Sequence, residues 1–354
     1  MTPESGQAIG QLPLMPDELL KAHFVQEKFD TRFRACARLL QALWRERQGL
    51  PIGSFQGRDG RKRKVGSLLS TSAAAVGRNF LGPAVAHLAR REVIYQEAGA
   101  LIDRQRLYSN LLSSMPLAFN LFAPLRFDLA LAAKVMRAIA PTVDIAAVRH
   151  VWFEHSPGRR EVDLTGDRTA FDVAVVYQRS DGATGLIGIE VKYSESLAEP
   201  APAELNPRYD ELAPASGLFK EPMHAALRVN PLQQLFREHL LAQAAMMRGD
   251  WAETHFMLLA PRHNTNVQQG ADLYRKFVAS PGPEQASFLN VELEQLVEAL
   301  GWAGARDEAY ALFDRYLNWG VVIDAVEACL RAKIEDWHIA PPPSAPLTLI
   351  GKAA

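Results

Sequence analysis

The chain has 354 residues, 48% of them hydrophobic and 22% charged, a composition that excludes a disordered polar chain or a membrane protein and allows one enlarged domain or two. Its 39 lysines and arginines nearly balance 40 aspartates and glutamates, so an anionic partner must be met by a local patch and not by a global positive field. Two cysteines, Cys36 and Cys329, exclude a disulfide framework and a cysteine-rich zinc site and point to a reducing, cytoplasmic setting.

In chain order, residues 1–7 lack the basic start and apolar stretch of a secretory signal and read as a frayed lead-in, with no export expected. Residues 16–48 carry apolar positions at helical spacing, closed by Gly49 and Pro51. A glycine-punctuated basic loop follows over 53–65, in which Arg58, Arg61, Lys62, Arg63 and Lys64 form a dense positive run, either a solvated loop or a phosphate contact. Helical spacing returns over 84–112 and 125–140, and Leu111–Leu125 is interrupted too often to span a bilayer.

From about residue 147 the pattern changes. Short runs rich in β-branched and aromatic residues, at 148–154, 170–177 and 186–193, predict three meandering strands separated by Ser156-Pro-Gly and by Ser180-Asp-Gly-Ala-Thr-Gly185. A Pro-rich connection (199–207), a helix at 231–248 and a strand at 255–260 come next. Residues 288–332 are again spaced as helix, and 341–346 read as an extended Pro-rich tail. No internal repeat is seen.

Asp172 lies within one apolar strand, and Glu190 and Lys192 lie within another. A carboxylate in a strand that is apolar on both faces costs several kcal/mol unless it is paired, hydrogen-bonded or bound to metal. Alternation puts Glu190 and Lys192 on one face. A hairpin that pairs residue 172 with 190 turns at 181, and one that pairs it with 192 turns at 182. Asp181-Gly182, a strong hairpin signal, occupies that centre. Two carboxylates and an amine therefore converge. They suit a hard divalent ion such as Mg²⁺, with the lysine orienting or deprotonating water; the alternative is a Glu190–Lys192 ion pair with Asp172 only accepting hydrogen bonds.

This arrangement, Phe171-Asp172 followed by Glu190-Val191-Lys192 on the second and third strands of an αβββαβ pattern, resembles the PD-(D/E)XK nuclease superfamily. Asn110–Phe122, Phe153-Glu-His-Ser-Pro-Gly158, Thr165–Asp172 and Gly188-Ile-Glu-Val-Lys192 are similar to a bacterial group of restriction-endonuclease-like proteins within it. The resemblance implies an α/β (α+β) fold: a restriction-endonuclease-like αβββαβ core with a mixed four-stranded sheet, plus N-terminal and C-terminal helical extensions. The expected divisions are 1–124, 125–265, 266–340 and a tail at 341–354. Phe171 stands where the superfamily commonly has proline.

By the same resemblance Asp172, Glu190 and the Val191 backbone carbonyl would bind Mg²⁺, with Mn²⁺ able to substitute, and Lys192 would activate or position the attacking water. The reaction would be phosphodiester hydrolysis on DNA, in restriction, defence or repair. The rival is a catalytically silent subunit that keeps the fold to hold nucleic acid or a partner protein. Asp128 is the first candidate for the helix-borne acid that the superfamily often adds, ahead of Asp103, with Glu154 a third whose alternative is a salt bridge to Arg159 or Arg160.

On the helix at 231–248, Leu232, Leu235, Phe236, His239 and Leu240 form a core stripe. Gln234 and Arg237 lie off it, either in solvent or holding a water or phosphate. Arg61, Lys62, Arg63, Lys64 and Arg237 are the candidate nucleic-acid contacts. No zinc, ATP, dinucleotide or serine-hydrolase motif is present. A homodimer or a partner subunit is compatible with these features.

Overall fold

Val148, Val151 and Phe153, then Val173, Val175 and Tyr177, then Ile187, Ile189 and Val191 recur at every second or third position, which a pleated strand turns into one apolar face. The computed structural model describes residues 11–57, 59–100, 102–198 and 205–339; the N-terminal lead-in, Arg58, most of the Pro-rich connection and the Pro-rich tail lie outside the described residues. In chain order the elements are α1 (Asp17–Ala22), α2 (Arg32–Arg47), β1 (Ile52–Gln56), β2 (Lys62–Leu69), α3 (Thr71–Ala75), α4 (Pro83–Ile94) and α5 (Arg104–Ser109). Then come α6 (Ser114–Phe127), α7 (Leu129–Ile139), β3 (Ala147–His155), β4 (Phe171–Gln178), β5 (Thr184–Val191), α8 (Arg208–Ser216), α9 (Gln233–Arg248) and β6 (Glu253–Ala260). The chain closes with α10 (Thr265–Phe277), β7 (Ser287–Glu292), α11 (Leu293–Ala303), α12 (Arg306–Tyr316) and α13 (Trp319–Ile339).

The main sheet has the order β3-β4-β5-β6-β7. β3, β4 and β5 form an antiparallel meander, whereas β6 and β7 run parallel to β5. A parallel return needs a crossover, and α8 and α9 supply it between β5 and β6. One face of the sheet, carrying Val173, Val175, Ile187 and Ile189, packs under α2, α6, α7, α11 and α12 in a single apolar core. The other, carrying Ala174, Val176, Leu186 and Leu258, packs under α8, α9 and α10. The four expected strands are therefore present in a mixed α/β fold with helical extensions at both ends.

Several local expectations need correction. The basic segment at 53–65 is not a loop: it is the β1–β2 hairpin, with Phe55 opposite Arg63 and Ser54 opposite Lys64. Residues 288–292 are not the start of a helix but most of β7, the sheet's fifth strand, because the open edge of β6 offers it a parallel ladder. Helical spacing over 16–48 breaks at Phe24, whose φ of 56° is left-handed. The 84–112 run divides into α4 and α5, and 125–140 contains a boundary at Asp128. Among the described residues, no helix is long and apolar enough to cross a membrane.

Candidate active site

The turn between β4 and β5 sets the site's geometry. Arg179 N–H donates to the Ala183 carbonyl at 2.8 Å, and Gly182 takes φ +89°, the left-handed geometry that a short hairpin loop needs. Val173 then lies opposite Ile189 and Ala174 opposite Gly188, and one further step of that register puts Asp172 across from Glu190. Val191 N–H donates to Asp172 Oδ2 at 2.9 Å, tying the acid to the strand it faces.

Glu190 and Lys192, both only 5% exposed, share a face at the end of β5, with Lys192 Nζ 3.0 Å from Glu190 Oε1. Helix α9 lies over them. Leu232, Leu235, Phe236, His239 and Leu240 are all fully buried, and His239 is held by Tyr274 and the Ala286 carbonyl as a core histidine. Anchored that way, the helix brings Gln234 Nε2 to 2.6 Å from Glu190 Oε1 and 3.0 Å from Glu238 Oε1. Asp172, Glu190, Lys192, Gln234, Arg237 and Glu238 line one cleft of about 290 Å³.

Glu238 was not anticipated from sequence. It is 5% exposed, its Oε2 is buried without a hydrogen-bond partner, and burial followed by repulsion from Glu190 pushes its pKa well above the usual carboxylate range. The available signal was its place one turn after Gln234 on the same helix face. Asp172 behaves likewise: burial, then Glu190 and Glu154, raise its pKa well above the usual range against the Val191 N–H and Lys192. Burial works to neutralise Lys192, but Glu190 and Glu195 outweigh it and hold the ammonium charged, with its pKa raised.

The auxiliary candidates separate. Glu154 lines the cleft at the end of β3 with φ +48°, and also pairs with Arg159 at 3.5 Å. Arg237 lines it too, steadied by Thr169 at 2.8 Å and Asp167 at 3.3 Å. Asp128 does not: it is exposed and accepts 2.9 Å hydrogen bonds from Ala130 and Leu131 N–H, because a helix start leaves its first amide donors without partners. Asp103 caps α5 in the same way. Arg61, Lys62, Arg63 and Lys64 sit on the β1–β2 hairpin, outside the cleft, and alternation splits them between its two faces.

The donor set fits a divalent cation. Four carboxylates, Glu154, Asp172, Glu190 and Glu238, line the cleft together with Lys192 and three arginines, and it raises two of the carboxyl pKa values and leaves Glu238 Oε2 unpartnered. Among the described residues no three His, Cys, Asp or Glu side chains form a ready-made metal cage, but Mg²⁺ needs only one or two carboxylates besides water and phosphate oxygens.

No curated protein and no solved structure matches the chain significantly. A family model described as the PD-(D/E)XK nuclease superfamily matches residues 28–318, well over half of the chain. That span takes in both sheets, every residue of the cleft and the helices on either face, so the chain belongs to the PD-(D/E)XK nuclease superfamily.

Proposed function

We propose that the protein is a Mg²⁺-dependent nuclease that hydrolyses phosphodiester bonds of DNA in restriction, defence or repair, with Mn²⁺ able to replace Mg²⁺. The observation that carries this reading is the convergence of Asp172, Glu190 and Lys192 on one sheet face beneath Gln234. Asp172 and Glu190, with the Val191 carbonyl, would hold the ion. A bound divalent ion polarises a phosphoryl oxygen and generates a strong nucleophile from water at neutral pH.

The chain's own residues do the rest. Lys192, held charged by Glu190, is suited to orienting a water and countering the charge that develops on phosphorus, more than to taking a proton. Gln234 holds Glu190 Oε1 in place, and its carbonyl oxygen can accept from a water. Arg237, already steadied by Thr169 and Asp167, supplies a cation for a non-bridging phosphate oxygen. Glu154 stands behind Asp172 as an auxiliary acid. Both cysteines are free, which supports a cytoplasmic location.

The test is cleavage of supercoiled and single-stranded DNA with Mg²⁺ or Mn²⁺, comparing the parent with Asp172→Ala, Glu190→Ala and Lys192→Ala, each checked for folding by circular dichroism. Each variant should lose at least about 10²-fold in rate. A parent protein that binds DNA but cuts with neither metal would instead favour the silent nuclease-fold subunit.

A further inference from the structure

Beside the cleft runs a second groove, of about 300 Å³, walled by the β1–β2 hairpin and α2. Arg106 lines both, so the groove and the cleft adjoin at this one side chain. Arg34, Arg63 and Arg106 face it with side chains 43%, 58% and 41% exposed. Their carboxylate partners are more buried: Asp30 at 8%, Glu195 at 9% and Glu27 at 31%. Glu27 and Glu195 line the groove too, against four arginines, Arg34, Arg38, Arg63 and Arg106, so cations are in excess there and each paired acid engages only part of its guanidinium, an arrangement that leaves N–H groups for phosphate oxygens.

The hairpin adds an aromatic. Phe55 is 45% exposed, lines the groove and stands opposite Arg63 across the two strands, with the guanidinium 5.7 Å from the ring centroid. An exposed ring with a guanidinium over one face and further arginines along the same groove is a combination on which unpaired bases stack while their phosphates are neutralised. A duplex keeps its bases stacked within itself and offers Phe55 no face.

We infer that this groove carries an unpaired DNA strand to the Asp172 cleft, with a base stacked on Phe55 and phosphates on Arg63, Arg34 and Arg106. The inference rests on the nuclease reading for what happens at the end of the path, but the binding itself is separable from it.

The experiment uses the full chain in EDTA, so that nothing is cut, and follows fluorescence anisotropy of a labelled oligodeoxythymidylate and of a labelled blunt duplex. The parent should bind the single strand more tightly. Phe55→Ala and Arg63→Ala should each weaken that binding by about tenfold with duplex binding unchanged, and Phe55→Trp should retain it. Arg63→Ala should also reduce the slope of log affinity against log salt by about 0.7, the value for one phosphate contact on a single strand. Equal or tighter binding of duplex by the parent, or parental single-strand affinity in Phe55→Ala and Arg63→Ala, overturns the inference. Cutting that depends on Asp172 but binding indifferent to Phe55 leaves the nuclease reading and removes the groove; Phe55-dependent binding without cutting does the reverse.

Discussion

Asp172 carries the site's electrostatic conflict. Its pKa is raised above that of an unfolded aspartate, so over the window from about 4 up to the folded value the native state keeps a proton that the unfolded chain has released. The stability it contributes is present below that window and lost as pH rises through it. Without metal at neutral pH, Asp172→Asn should therefore raise the melting temperature, since asparagine can still accept from Val191 N–H and brings no charge toward Glu190. Differential scanning calorimetry with and without Mg²⁺ checks this. Mg²⁺ should stabilise the parent but not the variant, which should be inactive. An unchanged or lowered melting temperature in the variant without metal would mean that Lys192 and the Val191 N–H already compensate the charge. Glu238, unpartnered at Oε2, shows the same logic at a position where the helix pattern suggests only a solvated or core residue.

Strand β5 shows how one element serves both packing and site. Gly188 lies beneath the Phe171 ring, and a Cβ there would come within 2.4–2.6 Å of three ring atoms. That ring is fully buried and packs toward Phe256, so it has nowhere to retreat. Gly188→Ala should cost about 1–3 kcal/mol through overpacking, read as a lower denaturation midpoint at unchanged urea slope. Because Phe171 immediately precedes Asp172, cleavage should fall as well, in protein that remains folded. The meander itself follows from alternation and the Asp181-Gly182 turn, both of them local and therefore legible in the sequence. β7 was not legible: its burial is mostly partial, and only the open edge of β6 selects strand over helix for it.

At the scale of the molecule, the N-terminal and C-terminal helices are joined by a fully buried arginine. Arg315 on α12 donates to the Asn79 carbonyl at 2.6 Å, to Asn79 Oδ1 at 2.5 Å and to Gln41 Oε1 at 3.3 Å, and lies over the rings of Trp44 and Tyr316. Gln41 in turn donates to the Tyr193 hydroxyl at 3.1 Å, one residue past Lys192, so this joint also supports the end of the strand that carries the site. Arg315→Ala, which leaves buried acceptors unpaired and opens a cavity, should cost about 3 kcal/mol, and Arg315→Lys should not restore it because an ammonium cannot make the planar fork. Thermal melts with limited proteolysis of α12 would show the loss; a variant as stable as the parent would mean the helices dock without it. By itself the sequence determined what local periodicity and turn chemistry can reach: the β-meander, the α9 core stripe, and the convergence of Asp172 with Glu190 and Lys192. Only the tertiary structure decided the fifth strand, the conversion of the basic run into a hairpin, the capping role of Asp128 and the burial of Glu238. The cap depends on where one helix breaks and the next begins, the fifth strand and the burial of Glu238 depend on elements distant in the chain, and the basic hairpin, though local, pairs mostly exposed and polar residues whose sequence carries no apolar alternation to read.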